Sequence, residues 1–516
     1  MKSIKTKITS GKSITIPGSK SVSHRMLICA SMADGTSLIR NILKSDDINH
    51  TMSALSRMGA DIQEQRNESI NDESLNKGDH LNEDDSIQDG TIRVTGFSGR
   101  PKPCDDEIYL GNSGTSMRLL AGTAALGTTP YILTGDHRMQ ERPMGDLLNA
   151  LIMAGADATS KSGNGTPPVI IKGGNLKHDN TIGGTITLDC SQSSQYLSAM
   201  LMMGAVLPEG LLVHLPGPTV SAPYVDLTID IMRKFGVNAE RMDDRTYRVA
   251  GKQTYRAGNF AVEPDLSNAS YFWAAGAVTG HMVTVTDINK DSLQGDKRLL
   301  EIFRQMGCQI EYGANSIGVR GFPALTAVNG STDSGHAQQS YAKGSISSHD
   351  NCLSSHGKCL NAVEVDMSDI PDVVPTLAVV AAFAKGTTKI VNIEHLREKE
   401  CDRISVVVSQ LRKIGVDASE GKDWLSVTGL YTDCNDTTGS HCVKGFADNK
   451  HLHDKQHNGS GGRIYHGAFI ETFNDHRMAM AFSIAGLRVD GIEIENEGCV
   501  AKSFPNYWEK FDSLGV

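Results

Sequence analysis

The residues able to do chemistry in this 516-residue chain gather in a few short segments. Lys20 and Arg25 lie in PGSKSVSHR, Arg118 in GNSGTSMRLL, and Arg138 and Arg142 in RMQERPMG. Lys399 and Arg403 follow in REKECDRI, His476 and Arg477 in NDHRMAMAF, and Lys502 in AKSFPNYWE. Few carboxylates stand among them: Asp372 in IPDVVP, Glu400 and Asp475. Ser193, Ser194 and Gln195 add hydroxyl and amide groups. Each segment opens a helical pattern or just precedes one. Free N–H groups and the helix dipole already attract anions to a helix start. Basic residues there are wrong for helix stability and right for gripping phosphate or carboxylate. Singly, each has a plain structural reading: a capped helix, a solvated i, i+4 face at Lys399 and Arg403, a local ion pair at Asp475–Arg477. Their shared placement favours a joint role. If the helix starts converge, the cleft holds roughly six to eight cations and takes a multiply anionic ligand set.

The elements that must position these groups repeat along the chain. One unit is a helical pattern ending in Gly and a small residue, at Gly59, Gly155, Gly236, Gly307, Gly415 and Gly515. Glycine there fits a helix C′ position, which requires positive φ. A second unit alternates with it: a helix rich in Ala, Gly and Ser that runs through a turn into a β-branched strand. Its copies begin at Ser21, Ser113, Ser193, Ser267, Asp369 and Asn474. Small residues imply close helix packing and burial on most sides. The chain therefore reads as six α/β units with helices layered on sheets.

Three stretches break the repeat, 66–90, 324–361 and 430–462, and their polar composition predicts solvated insertions. A waist near 261–268 separates the third and fourth units, and the strand before PGSKSVSHR belongs with the later half. The expected domains are 20–264 and, together, 1–19 and 265–516. The chain then crosses between them near Ser19 and Asp265, and two crossings make a hinge. The net charge of −10 argues against a nucleic-acid binder. No apolar run nears the roughly 20 residues that span a bilayer, and the N-terminus has no signal-peptide core. Scattered cysteines without a CxxC pair predict reduced thiols in a cytoplasm. No defensible zinc spacing occurs between Cys434 and His466.

PGSKSVSHR, LGNSGTSMRLL, RMQERPMG, SSQYLSA, SAPYVDLT, IPDVVPTLA, EKECDR, FNDHRMAMAF and AKSFPNYWE resemble, in order, the signature segments of the EPSP synthase family of enolpyruvyl transferases. The resemblance covers the chain except the three insertions. It implies an α/β fold of two similar domains, each of three βαβαββ units around a pseudo-threefold axis, closing on substrate. It also implies transfer of an enolpyruvyl group from phosphoenolpyruvate to the 5-hydroxyl of shikimate 3-phosphate, in the shikimate pathway to aromatic amino acids.

On this resemblance Arg403 and Arg477 hold the phosphoenolpyruvate carboxylate. Arg142, Lys502 and Gln195 hold its phosphate, with Asn112 and the Gly114 backbone beside them. Ser193, Ser194 and Ser221 take the shikimate phosphate, with Gln195 nearby, and Ser21 and Arg25 the shikimate carboxylate. Asp372 and Lys399 reach ring hydroxyls, and His395 stands near the shikimate phosphate. Glu400 carries the proton at C3 of phosphoenolpyruvate. Asp372 and Lys20 divide the 5-hydroxyl proton in an order left open, and Lys20 touches both substrates. Fixed cations meet the developing charge, so no metal or organic cofactor is expected, and neither is an oligomer. Three positions depart from the usual pattern: His395 for Asn, Ala222 for a basic residue, and Leu119 for Pro. Gly114 is retained, which implies sensitivity to glyphosate. The sister transferase acting on UDP-N-acetylglucosamine normally has a reactive loop cysteine, and RMQERPMG has none. A non-catalytic anion-binding relative would lack one of Lys20, Asp372 and Glu400, and all three are present.

Overall fold

A computed structural model describes residues 1–65, 90–173, 184–322, 359–429 and 465–515. The expected insertions lie outside the described residues except at their edges. At one edge Leu360 is buried and Asn361 bridges to Lys385. That insertion therefore ends before 361, because an apolar side chain with a core to enter outweighs the polar composition around it.

In chain order the helices are α1 (Lys20–Met32), α2 (Asp46–Arg57), α3 (Gly114–Ala124), α4 (Gly145–Met153), α5 (Gln195–Gly204) and α6 (Pro223–Lys234). They continue as α7 (Leu266–Thr279), α8 (Leu299–Gln305), α9 (Val374–Ala381), α10 (Arg403–Lys413), α11 (His476–Gly486) and α12 (Tyr507–Asp512). Odd and even helices alternate as the two repeat units require. The even helices α2, α4, α6, α8 and α10 end at glycines 59, 155, 236, 307 and 415, with φ between +79° and +103°. Gly515 is the exception and has no positive φ.

The small-residue odd helices form the interior. Nearly every residue of α1, α3, α5, α7, α9 and α11 is buried. A helix apolar all round belongs in a core rather than at a surface. Glycine sets the spacing at the tightest contact between α3 and α5. A Cβ on Gly122 would stand 2.7 Å from the Ala199 carbonyl oxygen.

Six small sheets flank these helices among the described residues, five of four strands and one of three. Each contains a single parallel pair. Two of those pairs join distant parts of the chain. Lys12–Ile14 lies parallel to Val283–Thr286, and Asn259–Ala261 parallel to Thr36–Arg40. The apolar side chains form two cores. One runs from Val22 to Val262; the other combines Ile4–Ile16 with residues from Leu266 to Leu514. The chain passes between the cores twice, and the passes lie side by side. Ser19 N–H donates to the Glu263 carbonyl at 2.8 Å, and Asp265 N–H to the Pro17 carbonyl at 3.0 Å.

Helix starts differ in detail from expectation. The serine before α1 makes no side-chain cap. Asp265 replaces it, accepting from Lys20 N–H at 2.9 Å while also capping its own helix α7 through Asn268 N–H at 2.9 Å. Before α9 the chain first makes a 3-10 turn at Pro371–Val373, and α11 is capped by Asp475 rather than Asn474. Among the described residues no helix is long and apolar enough to cross a membrane.

Gly122→Ala is expected to destabilise the fold by about 1–3 kcal/mol, because the new methyl meets backbone instead of a yielding side chain. Chemical denaturation of parent and variant checks this, and an unchanged midpoint contradicts the packing argument.

Candidate active site

The first turns of α1, α2, α3, α5, α6, α10 and α11, and the turns leading into α4 and α9, meet at one cleft between the two cores. From the first half the expected residues Lys20, Ser21, Gly114, Arg142, Ser193, Ser194, Gln195 and Ser221 line it. From the second half come Asp372, Lys399, Glu400, Arg403 and Arg477. Asp47, Thr115, Arg118, Tyr224 and Pro371 complete the wall.

Four expected residues stand outside that lining. Lys502 and Asn112 lie directly behind it. The Lys502 ammonium donates to the Asn112 carbonyl at 2.7 Å, across the two halves, and lies 3.3 Å from Glu400. Asn112 Oδ1 accepts from Arg142 at 3.2 Å. Arg25 is buried under the first half, where Thr228 Oγ1 accepts from its Nε at 2.7 Å and the Ser21 carbonyl from its Nη1 at 3.0 Å. His395 is buried with Nε2 unpartnered, and burial pushes its pKa down to about 3. His476, grouped with the cations in the sequence, is not one. It is fully buried, and burial, Lys20 and Arg477 hold it well below its ordinary value.

The charges fall into two sets. In the first, carboxylates pair with arginines. Arg403, 2 % exposed, donates Nε to Asp475 at 2.7 Å, Nη1 to Asp372 at 2.9 Å and Nη2 to Glu400 at 2.7 Å. Arg477 donates Nη2 to the other oxygen of Asp372 at 2.6 Å and Nη1 to the Tyr271 hydroxyl at 3.3 Å. Burial works against both guanidinium charges, and these carboxylates override it. Each guanidinium has five N–H groups, so both keep donors for a ligand. Burial alone would raise Asp372, but Arg477, Arg403, Lys399 and Lys20 hold it well below the usual carboxylate range. Burial would raise Glu400 too; Lys502, Arg403 and Arg142 hold it well below. Both carboxylates are ionised at neutral pH.

In the second set, cations crowd one another. Burial, then Arg118, lowers Arg142 to about 10, and its Nε has no partner. Burial pushes Lys399 down to about 7; Arg118, Arg403 and Arg142 add to the fall, and Asp372 opposes it. Arg118 donates to Gln195 Oε1 at 3.1 Å, and Gln195 in turn donates to Thr115 Oγ1 at 2.9 Å. Such a cluster is held at a cost in electrostatic free energy, which a bound anion relieves.

A model of the EPSP synthase (3-phosphoshikimate 1-carboxyvinyltransferase) family matches residues 5–91 and 79–511. The chain belongs to this family. It is 36% identical over 506 residues to a 3-phosphoshikimate 1-carboxyvinyltransferase of Aliivibrio salmonicida, covering 98% of this chain and 96% of the relative. A Colwellia psychrerythraea protein of the same name is 37% identical over 498 residues, covering 96% and 95%. A solved EPSP synthase from Acinetobacter baumannii superposes with a TM-score of 0.68 at 26% identity, covering 99% of this chain and 97% of that one. The two-domain α/β fold expected from the sequence is the fold of this EPSP synthase family member.

Sequence reasoning missed Asp47, Thr115 and Tyr224 as wall residues. Asp47 left a readable trace: it sits in the first turn of α2, between Ser45 and the apolar Ile48, as the other cleft residues sit in theirs. It lies 3.4 Å from the Lys20 ammonium. Ser221 has φ +55°, and its N–H donates to the Ser368 carbonyl at 2.9 Å across the halves. Non-glycine residues in that region mark positions held by their surroundings.

Acylation of Lys399 by trace acetic anhydride should rise through a midpoint near pH 7. The Asp372→Asn variant removes a charge that raises Lys399, so the midpoint should fall further. A midpoint in the ordinary lysine range, about 10.4, would refute the crowding.

Proposed function

We propose that the chain transfers the enolpyruvyl group of phosphoenolpyruvate to the 5-hydroxyl of shikimate 3-phosphate, giving 5-enolpyruvylshikimate 3-phosphate and phosphate. The observation that carries this is the convergence, on one cleft between the two cores, of Lys20, Arg142, Lys399, Arg403 and Arg477 with Asp372 and Glu400. Two small acids bearing phosphates and carboxylates satisfy the cations, and the carboxylates remain to move protons.

Ser193, Ser194 and Ser221 hold the shikimate phosphate in this assignment, and Ser21 its carboxylate, with Arg25 supporting from behind through the Ser21 carbonyl. Arg142 and Lys502 take the phosphate of phosphoenolpyruvate, the leaving group, with Gln195 beside them. The spare donors of Arg403 and Arg477 take the phosphoenolpyruvate carboxylate in planar, two-bond geometry. Every assigned group comes from one chain, so a monomer suffices. The sister reaction on UDP-N-acetylglucosamine finds no cysteine in the stretch Arg138–Gly145 to support it.

The chemistry is addition followed by elimination. The 5-hydroxyl oxygen bonds to C2 of phosphoenolpyruvate while C3 gains a proton and becomes a methyl group. The tetrahedral adduct then loses a proton from that methyl as the C2–O bond to phosphate breaks. One group at C3 therefore acts first as acid and then as base. Glu400 is assigned that role, with Asp372 and Lys20 at the 5-hydroxyl. Glu400 is ionised beside Lys502, Arg403 and Arg142, so it needs a proton before the first step. Substrate phosphate and carboxylate beside those cations offset the field that holds its pKa down. Substrate binding and arming of the acid become one event.

Phosphate release from the two substrates tests the assignment directly. Glu400→Gln should lower kcat by about 10²–10⁴-fold and leave shikimate 3-phosphate binding intact. Unchanged turnover removes Glu400 from the mechanism. Glyphosate should inhibit the parent enzyme. A Cβ on Gly114 would stand 2.6–2.8 Å from the Arg142 guanidinium. Gly114→Ala should therefore raise KM for phosphoenolpyruvate and weaken inhibition together; a change in neither contradicts the shared pocket.

A further inference from the structure

Arg138 does not line the cleft, yet its side chain crosses from the first half to the second. Its Nε and Nη2 both donate to the Lys399 carbonyl, at 3.1 and 2.9 Å, and Nη2 also reaches the Arg397 carbonyl at 3.3 Å. Its remaining arm, Nη1, donates to Glu141 at 2.9 Å. The Lys399 carbonyl belongs to the peptide group joining Lys399 to Glu400. Gripping that peptide unit sets the direction in which both side chains leave the backbone.

The rest of this stretch is anchored elsewhere. Arg397 holds its own half through Asp402 at 2.6 Å, Glu420 at 3.1 Å and the Lys422 carbonyl at 3.0 Å. Between Arg397 and the start of α10, the only side chain from the opposite half that bonds this backbone, among the described residues, is Arg138. A single 3-10 turn, Met139–Glu141, links Arg138 to Arg142, one of the cleft cations of the first half. The grip on Lys399–Glu400 and the phosphate-side cation therefore share one short rigid element.

We propose that Arg138 is a positioning residue that couples closure of the two halves to the placement of Lys399 and Glu400. With the halves apart the fork has no carbonyls to hold, and the Lys399–Glu400 peptide is free to turn. With the halves together two N–H···O contacts hold its carbonyl and a third holds the Arg397 carbonyl. A guanidinium is required, because a single ammonium cannot reproduce two contacts to the Lys399 carbonyl and a third to that of Arg397. This coupling rests on the transferase assignment for its catalytic consequence, and on the geometry alone for its structural one.

The test compares the full-length parent with Arg138→Ala and Arg138→Lys by amide hydrogen exchange, steady-state kinetics and shikimate 3-phosphate binding. Arg138→Ala should exchange faster than the parent in the 395–402 stretch, with the helices of both halves unchanged. Its kcat should fall about tenfold to hundredfold, the scale of a small misplacement of reacting groups. Shikimate 3-phosphate, assigned mainly to the first half, should still bind within about twofold. Arg138→Lys should recover only part of the rate. Unchanged exchange in 395–402, a kcat within about twofold of the parent, or a loss of shikimate 3-phosphate binding that matches the loss of rate would each overturn the proposal. A parent enzyme that releases no phosphate refutes the transferase assignment instead, and the exchange comparison still decides whether the strap exists.

Discussion

Like charges crowded into one place set the terms for this molecule. Lys20, Arg118, Arg142, Lys399, Arg403 and Arg477 line a single cleft, with Lys502 directly behind. Such a cluster holds together only if part of its charge is cancelled from within. Asp372, Glu400 and Asp475 do this around Arg403, and Asp372 also serves Arg477. Orphaning one partner of a buried pair of this kind costs about 3–5 kcal/mol, so the network is locked as a unit. An apolar replacement of the pairs would often be as stable. What it would not provide is a set of oriented N–H donors facing a ligand. The cations left least compensated, Arg142 and Lys399, are those whose pKa values burial and neighbours push down.

The fold exists to aim those charges. Odd-numbered helices are built from small residues so that they pack near one another, and the first turns of α1, α3, α5 and α11 and the turn leading into α9 meet at the cleft. Each half holds its own core, so the convergence also needs the halves to keep register. Asp265 provides a fixed point: one buried carboxylate caps α7 in the second core and α1 in the first. Lys20, the first residue of α1, is thus tied by its backbone to the crossing while its side chain faces the cleft. On the far side, Arg138, Lys502 and Ser221 supply contacts that exist only with the halves together.

Local physics was legible in the sequence wherever a residue's role is fixed by its own neighbours in the chain. Repeating glycines announced helix ends, because the left-handed turn before a strand demands them; Gly515, without a positive φ, is the exception. Cations at helix starts announced a binding cleft, because they are unfavourable for anything else. Roles decided by distant partners were not legible. His476 reads as a cation beside Arg477, but total burial among Lys20, Arg477 and Lys502 makes it neutral. Ser21 reads as the start of the first small-residue helix, but that helix begins at Lys20, whose N–H donates to Asp265, 245 residues away in sequence. Tyr224 and Thr115 carry no charge and follow no spacing rule, so nothing local set them apart from ordinary first-turn residues.

Charge cancellation also decides when the site can react. With Glu400 held far below the usual carboxylate range, a proton on it at neutral pH is costly. The same cations that impose the cost are the ones assigned to substrate phosphate and carboxylate. An anion beside Arg142 and Lys502 competes with Glu400 for their field, and the pKa of Glu400 must rise as that field is shared. Lys399, near 7, moves in the same direction when an anion arrives. Both shifts draw protons into the cleft as it fills. In the proposed assignment, such an acid has work to do only once substrate is bound. It becomes competent when both halves and both ligands are together, which is also when the Arg138 contacts to the Lys399 carbonyl can form.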